Sequence, residues 1–451
     1  MKWTKNWLLI LSLALPSVIS FATQTLSGTL NLIIVGQLGA SVIAIVGVTN
    51  IIIYNAWAIF SGVGHTVNYL VAQNYGANDM KKGIERTTVA LYATVCMAAV
   101  IFLVGHLFAG DIMRFMGGKE SAVLAEGETY LQIRFYAMAC GILNFLFHGF
   151  LRGIGDTRTP MVLSIVTNVL MVFFTYAWTY GEFGFAAYGI EGAGWAFFLG
   201  EAAGLIGCLY VYFIRLHGTY GTRTRMPWNK AEAKLILLES GKLGVQEFSI
   251  SVSMLVFTRF VAVLGEDALA ANEVALSVMS LGFMPAFAFG TTATILVGQR
   301  LGEGKPYEAR RLGTDVAVIG SLFLLVVGIV EFILAEPIAR IYTQDPNVYE
   351  LAGYLIMLSA FLQLFDGLLN YYAGGLRGLG DTRFLLIVSF VLGLFVFVPS
   401  AYLFIFVFDW GSVGAWLSLY GYLVVFGVLL TVRFYRTDWA NARIKEAGGG
   451  H

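Results

Sequence analysis

The candidates for chemistry are four carboxylic acids within strongly apolar stretches of this sequence: Asp366, Glu273, Glu247 and Glu201. A charged carboxylate at bilayer depth costs at least about 2.5–3.5 kcal/mol, so each of these residues needs a functional or structural reason. Burial favours the protonated form of a carboxyl group, and the group satisfies its charge with a proton or with a cation but rarely with both. Binding of one therefore displaces the other, and this is the chemistry of exchange.

Twelve apolar segments, each of about 20 residues or more, must position these acids. The chain is 58% hydrophobic and 12% charged, with a mean hydropathy of +0.76, which is far from the balance of a soluble domain. The segments cover residues 7–34, 42–73, 87–108, 128–150, 159–180, 187–215, 235–264, 268–299, 313–335, 348–374, 384–408 and 412–434. We therefore predict an all-α integral membrane protein with 12 transmembrane helices.

The sequence is also duplicated. The stretch Leu-Arg-Gly-Ile-Gly-Asp-Thr-Arg at 151–158 recurs with one change at 376–383, and Gln73 recurs as Gln299. A repeat of this length indicates two lobes rather than a solenoid of short units. We predict the following organisation: an N-terminal six-helix lobe over 1–218, a cytoplasmic linker over 219–234, a C-terminal six-helix lobe over 235–436 and a cytoplasmic tail over 437–451.

The basic residues predict the orientation of the chain. Most of them lie at the two termini and in the loops after even-numbered segments, while the loops after odd-numbered segments hold only three. Lysine and arginine near helix ends are retained in the cytoplasm, so we expect both termini there. Six helices is an even number, so both six-helix bundles insert the same way up, related by a pseudo-twofold axis along the membrane normal.

Two like-oriented lobes without a soluble domain are typical of secondary transporters. No Gly-x4-Gly-Lys-Ser/Thr sequence provides a phosphate cradle for ATP, so the energy should come from an ion gradient. The acids are spread over several segments without a catalytic motif, and no cluster of Cys and His predicts a metal site. We therefore expect no enzyme activity and no cofactor other than H+ or Na+ as the coupling ion.

Several motifs carry a family resemblance: Leu13-Ala14-Leu15-Pro16, Val35-Gly36-Gln37-Leu38-Gly39, Val71-Ala72-Gln73-Asn74-Tyr75-Gly76 and the paired 151–158 and 376–383 turns. Together they resemble the multidrug and toxic compound extrusion (MATE) family of prokaryotic type, with its DinF-like branch as one alternative. The resemblance covers essentially the whole chain. It implies a V-shaped pair of bundles in the plasma membrane that exports amphipathic, often cationic, organic compounds in exchange for H+ or Na+ by alternating access.

A flippase for a lipid-linked substrate, also found in the superfamily, is the alternative function. It would need several cationic residues deep in its cavity to hold phosphates. Apart from Arg215 and Arg433 at the very ends of their segments, only Arg134, Lys242 and Arg259 lie within the apolar segments, each within about two turns of an estimated end. This distribution favours the exporter.

The resemblance also assigns roles to individual acids. Asp366, about 15 Å along its helix from the second paired turn, matches a family acid that binds the coupling ion, and Glu273 matches a glutamate of some members. Sodium could bind at these two residues. Glu247 is a third ion-coupling candidate, although the family position for an acid in this helix falls at Met254. The alternatives are a permanently protonated acid that only ties helices together or, for Glu247, a partner for a neighbouring hydroxyl or arginine. Glu201 has no family counterpart.

The N-terminal lobe departs from the family. The usual acid of helix 1 is Asn31 here, and that of helix 5 is Val172, so coupling should rest on the C-terminal lobe. Asn31 and Asn168 are predicted to bind substrate through neutral hydrogen bonds, together with Asp366. Pro16 interrupts the backbone ladder of helix 1 and is predicted to act as a hinge, the alternative being a static kink. The expected partners are small organic cations and membrane lipids, without nucleic acid, and the family implies a monomer.

The duplicated turns have a structural interpretation. Arg152 and Arg377 should complement helix dipoles at C-terminal ends, the glycines should permit a tight turn, and Asp156 and Asp381 should cap the next helix. The turns occur in both halves, whereas the acids differ between the halves. We therefore predict that the turns belong to the scaffold.

Overall fold

The computed structural model describes residues 2–117, 121–223, 228–342 and 345–447. Within these ranges, twelve helices are long and apolar enough to cross a membrane, which confirms the predicted all-α fold of two six-helix lobes. They are α1 Lys2–Gly36, α2 Ala40–Gly76, α3 Met80–Gly117, α4 Ser121–Gly153, α5 Arg158–Tyr180, α6 Gly189–Arg215, α7 Lys230–Val263, α8 Glu266–Gly302, α9 Pro306–Ile333, α10 Pro346–Leu379, α11 Thr382–Val407 and α12 Gly411–Arg436. Residues 224–227 of the predicted linker and 448–451 of the predicted tail lie outside the described residues.

Helix α11 is less regular than α5, its counterpart in the repeat. It contains two stretches of wider, π-helical turns, Val391–Phe397 and Leu403–Val407. Pro399 lies between them, and a proline inside a helix removes one backbone hydrogen bond and displaces the preceding turn. The apolar length of this segment predicts a helix, and the proline explains where its geometry changes.

Glycines allow pairs of helices to pack with their backbones in contact, and they do so at equivalent positions in both halves. A Cβ atom added to Gly149 of α4 would collide with the backbone oxygen of Gly64 in α2. A Cβ atom added to Gly374 of α10 would likewise collide with the backbone oxygen of Gly290 in α8. Small residues let membrane helices approach until their backbones touch. The two halves therefore share one packing scaffold.

The duplicated turns have the geometry that their glycines predict. Gly155 and Gly380 adopt left-handed φ angles of 85° and 88°. The N–H of the aspartate that follows each glycine donates to the leucine carbonyl five residues earlier, at 2.9 Å in both turns. Asp156 caps α5 by accepting the backbone N–H three residues later, at 2.9 Å. The second aspartate differs, because Asp381 accepts a hydrogen bond from Nε of Arg433 in α12 at 2.7 Å.

By packing, the chain divides into two compact units. One contains Met1–Val18, Ala72–Asn78 and Val245–Lys445, and the other contains Ile19–Val71, Asp79–Gly244 and Glu446–His451. The predicted lobes follow the repeat along the chain, whereas these units follow contacts. Helices α1, α2 and α7 therefore supply residues to both units, and the division of α1 falls two residues after Pro16.

Buried ion pairs explain why the first part of α7 packs with α2 and α3. Glu232 accepts Nε of Arg86 at 2.9 Å and Nζ of Lys82 at 2.7 Å. About two helical turns further along α7, Glu239 accepts the hydroxyl of Tyr69 at 2.9 Å. Both carboxylates are buried, and such pairs hold only when the partners satisfy the charge.

Candidate ion- and substrate-binding sites

Helices α1 and α5 meet along a polar seam. The hydrogen-bonded partners are Ser20 with Ser164 at 2.8 Å, Thr23 with Asn168 at 3.5 Å, Ser27 with Met171 at 3.6 Å, and Ile34 with Tyr180. In each pair the two residues are 144–146 positions apart in the chain. The two helices therefore run parallel, in a constant register.

This register places Asn31 opposite Thr175. Their exposed fractions are 3% and 0%. Within the described parts of the chain, neither the amide atoms of Asn31 nor the hydroxyl of Thr175 has a hydrogen-bond partner, and the hydroxyl of Thr179, one turn further, has none either. A buried polar group without a partner costs about 1–3 kcal/mol. The seam thus carries both Asn31 and Asn168, about two helical turns apart, and presents unpaired neutral donors and acceptors around Asn31.

The corresponding seam of the C-terminal half is closed by aromatic rings. Asn31 has its repeat counterpart at Phe257 in α7, and Val172 has its counterpart at Phe397 in α11. These two rings stack with centroids 5.5 Å apart, and Phe397 stacks in turn on Tyr422 of α12 at 4.8 Å. The polar seam is therefore a feature of the N-terminal half, and apolar contacts take its place between α7 and α11 of the C-terminal half.

Asp366 lies near the middle of α10 and is 5% exposed. Its Oδ1 atom accepts a hydrogen bond from Nδ2 of Asn370 at 3.3 Å, and the same amide donates to the Asp366 backbone oxygen at 2.9 Å. The carboxylate also acts electrostatically on the hydroxyls of Tyr371 and Tyr422, neither of which has a hydrogen-bond partner among the described residues. A buried acid among amide and hydroxyl groups can bind a proton or a small cation.

A second buried acid of this half, Glu331 in α9, was missed by the sequence reasoning. It is 4% exposed and accepts a hydrogen bond from Nε2 of Gln363, which lies one helical turn from Asp366 on α10. Glu331 and Gln363 each keep an oxygen atom without a donor among the described residues. The signal was present, because Glu331 falls inside the predicted segment 313–335, but it lies close to the estimated end of that segment.

The structure does not bring Glu273 to Asp366. Thr294 of α8 donates to the backbone of Gly374 at 2.9 Å, which fixes a register of 80 residues between α8 and α10. Glu273 then lies about 13 residues, or about 20 Å along the axis, from the level of Asp366. A hard cation needs oxygen ligands at about 2.3–2.6 Å, so the two carboxyls do not share one sodium ion in this conformation. The side chain of Glu273 is exposed, and its neighbour Asn272 accepts Nε1 of Trp416 at 3.0 Å.

Glu247 forms an ion pair with Arg377 of the second duplicated turn, with 3.4 Å between Oε1 and the guanidinium. This is the partner that the structural alternative for Glu247 expects. The repeat counterpart of Glu247 is Phe21, and the guanidinium of Arg152 lies 4.8 Å from the centre of the Phe21 ring. Each half thus anchors the arginine of its turn on the first helix of that half. The anchor is a carboxylate in one half and an aromatic face in the other.

An all-α chain of twelve membrane-spanning helices in two repeated halves, with polar groups buried among the helices, defines a polytopic membrane transport protein. The MatE family model matches residues 16–177 and 243–403. The two matches fall one in each half, as the duplication requires. The chain belongs to the MatE family.

The chain is similar over nearly its full length to proteins named for drug resistance. It is 25% identical over 445 residues to the probable multidrug resistance protein NorM of Thermotoga maritima, covering 97% of this chain and 96% of that protein. It is 26% identical over 440 residues to the multidrug resistance protein PmpM of Pseudomonas aeruginosa, covering 95% and 91% of the two chains.

Two solved structures show the same fold. A MOP superfamily transporter from Pyrococcus furiosus superposes with a TM-score of 0.87 at 20% identity, over 95% of this chain and 96% of that one. The outward-facing form of a multidrug resistance MATE family transporter superposes with a TM-score of 0.87 at 20% identity, over 95% of both chains. At this level of sequence identity the similarity establishes the fold, and the chemistry has to be argued from the residues of this chain.

Proposed function

We propose that the protein exports amphipathic, cationic organic compounds in exchange for H+ or Na+, by alternating access between its two lobes. The observation that carries the proposal is Asp366, an acid buried in the middle of a membrane-spanning helix, with an asparagine amide as its hydrogen-bond donor. Such an acid accepts either a proton or a cation, and the drug-resistance names of the similar proteins support organic compounds as the second solute.

The other predicted residues take distinct parts in this proposal. The polar seam of Asn31 and Asn168 binds the substrate through neutral hydrogen bonds. Glu273 binds the coupling ion at a separate level of the membrane, and Glu247 exchanges between Arg377 and the ion. Pro16 serves as the hinge of α1, and the change of packing unit two residues after it supports this role.

The cellular setting is part of the same proposal. The protein is a monomer that spans the plasma membrane with both termini in the cytoplasm, and it contacts membrane lipids but no nucleic acid. It needs no cofactor besides the transported ion. An exporter is favoured over a flippase because two of the three basic residues within the apolar segments already have partners in the protein. Lys242 pairs with Glu239 at 2.7 Å, and the guanidinium of Arg134 lies 3.8 Å from the ring centre of Phe197.

The test is transport by the purified protein in liposomes. Flux of a fluorescent organic cation is measured under an imposed pH gradient, and then under a sodium gradient, for the parent and for Asp366→Asn. We expect one of the two gradients to drive flux in the parent and the variant to respond to that gradient more weakly.

Glu336→Gln is the matched control, because it removes a carboxylate that is 54% exposed outside the twelve spanning helices. The control should behave like the parent. Gradient-driven flux that is undiminished in Asp366→Asn would make this acid structural and direct attention to Glu247 and Glu273. Absence of cation flux in the parent, with transfer of a lipid-linked sugar instead, would replace the exporter by the flippase.

A further inference from the structure

Glu201 is a membrane-embedded acid of the N-terminal half that has no part in the proposed function. Glu201 lies within α6 and is partly exposed. Its Oε2 atom accepts a hydrogen bond from Nδ2 of Asn144 in α4 at 2.8 Å, and the same amide donates to its backbone oxygen at 2.9 Å. An acid within a membrane-spanning helix is costly unless it is paired or has a function.

Glu201 lies where the repeat places Asp366. Helices α4 and α10 are counterparts, and the duplicated turns that end them pair Gly149 with Gly374. The same register pairs Asp366 with Gly141 of α4. A Cβ atom on Gly141 would lie 3.3 Å from Oε2 of Glu201, and its three nearest neighbours would all be atoms of that carboxylate. The acid of α6 thus fills the position that a side chain of α4 would take.

The arrangement is reversed in the C-terminal half. There α10 carries the acid, and α12, the counterpart of α6, presents a glycine at the same level. A Cβ atom on Gly427 would lie 3.0 Å from the backbone oxygen of Phe365 and 3.5 Å from the nitrogen of Leu369, which flank Asp366. The carboxyl group thus comes from α6 in the N-terminal half and from α10 in the C-terminal half, and in both halves a glycine lies on the facing helix.

Each of the two acids also accepts a hydrogen bond from an asparagine amide, across the helix pair in the N-terminal half and within α10 in the C-terminal half. Asn144 donates to Glu201, and Asn370 donates to Asp366, and both asparagines lie on the α4 or α10 helix of their half, three or four residues beyond the equivalent positions 141 and 366. An amide is a neutral donor that tolerates both the ionised and the protonated acid. Both sites are thus suited to bind and release a cation.

We propose that Glu201 is a second binding site for the coupling cation, H+ or Na+, equivalent by the internal repeat to Asp366. The inference rests on the proposed function, since it assumes that Asp366 couples an ion to transport. The charged and titratable groups that interact with Glu201 are Arg134 and Cys140 on α4 and Cys208 on its own helix. From α5, the neutral hydroxyl of Thr167 approaches the next turn of α6 at Gly204.

The consequence is that both halves bind an ion. The N-terminal half lacks acids at Asn31 and Val172, yet it keeps a carboxyl group in a different helix. A transporter with one site in each half moves more ions per substrate than a transporter with a single site. This number sets the concentration ratio that a given membrane potential can sustain.

The experiment measures that ratio in liposomes, with a fluorescent organic cation as the substrate and an imposed potential and pH or sodium gradient. The variants are Glu201→Gln, Asp366→Asn and the double variant. If one ion is lost per cycle, Glu201→Gln should lower the ratio sustained at 100 mV by about forty-fold. Asp366→Asn should lower it similarly, and the double variant should lower it by the product of the two factors.

A rescue variant separates ion binding from structural support. Gly141→Asp combined with Glu201→Ala supplies the carboxyl from α4, as α10 does in the other half, into the space that Glu201 leaves. This variant should restore the parent ratio, whereas Glu201→Ala alone should not. A parent ratio retained in folded Glu201→Gln, as judged by size-exclusion chromatography, would overturn the inference and leave the role of Asp366 intact. A parent ratio that responds to neither gradient would instead refute the proposed function itself.

Discussion

The two halves of the molecule have the same scaffold but different polar chemistry. Gly149 and Gly374 lie at equivalent helix crossings, and Gly155 and Gly380 lie in equivalent turns. Away from these positions the halves diverge. The N-terminal half keeps a buried polar seam with unpaired groups around Asn31, and the C-terminal half fills the equivalent seam with rings and buries acids on α9 and α10.

This contrast shows which positions the repeat constrains. The crossings at Gly149 and Gly374 and the turns at Gly155 and Gly380 depend on the absence of a side chain, and both halves retain these glycines. A polar group needs only a partner, and the partner can come from either helix of a pair. The repeat therefore preserves geometry more strictly than it preserves chemical groups.

The largest effect should follow from filling a helix crossing. Gly374→Ala places a methyl group against the backbone oxygen of Gly290, and overpacking of this kind costs about 3 kcal/mol or more where backbone must move. Gly149→Ala should cost a similar amount, because it meets Gly64 in the same way. Thermal denaturation in detergent would measure both.

Gly421→Ala is the control for these substitutions, because a Cβ atom at Gly421 has no neighbour within 4 Å. It should leave the melting temperature close to that of the parent. Equal melting temperatures for all three variants would show that the crossings do not hold the scaffold together.

Smaller and unequal losses of stability should follow from replacing Glu247 and Phe21, the two residues that hold the arginines of the duplicated turns. Glu247→Gln removes the negative charge that faces the buried Arg377, and loss of a bond to a charged group costs about 1.5–3 kcal/mol. Phe21→Leu removes a contact between a cation and a ring, which contributes about 0.5–2 kcal/mol.

The two anchors can be told apart by salt. The deficit of Glu247→Gln relative to the parent should shrink as ionic strength rises, since Glu247 is a quarter exposed. The deficit of Phe21→Leu should change less. Denaturation at low and high salt would compare them, and identical salt responses would contradict the difference between the anchors.

The smallest predicted effect on stability is an increase, and it should follow from a substitution of Asn31. Asn31→Leu replaces an unpaired buried amide by an apolar side chain of similar size, which should raise the free energy of unfolding by about 1 kcal/mol. The same change should weaken substrate binding about ten-fold, because a hydrogen-bonding group is lost. Melting temperature and binding of the fluorescent cation would be measured on the same preparation. A loss of stability together with unchanged binding would remove Asn31 from the substrate site.

The fold was accessible from the sequence because membrane helices are specified by apolar length. The segment predicted over 159–180 is the helix Arg158–Tyr180, and the glycines of the duplicated turns predicted their left-handed geometry. These signals are local, since each depends on a few consecutive residues. The duplication also showed which residues of the two halves are equivalent, because one half of the chain can be aligned with the other.

The sites were less accessible because they depend on contacts between residues of different helices. Glu201 of α6 meets Gly141 of α4, and Glu331 of α9 meets Gln363 of α10. Nothing in the local sequence states which face of a helix meets which neighbour. Glu247 illustrates the limit, since its partner is the arginine of a turn that comes three helices later in the chain.

The most direct test of the central claim, that Asp366 exchanges an ion for substrate, uses the purified protein. The fluorescent organic cation is added in weak buffer while a pH indicator reports proton release, and the titration is repeated with increasing sodium. The account predicts that binding to the parent releases protons or is weakened by sodium. Asp366→Asn should bind the substrate with less ion release than the parent but not with none, since Glu201 remains and distant sites contribute additively. Equal ion release from the parent and the variant would contradict the account.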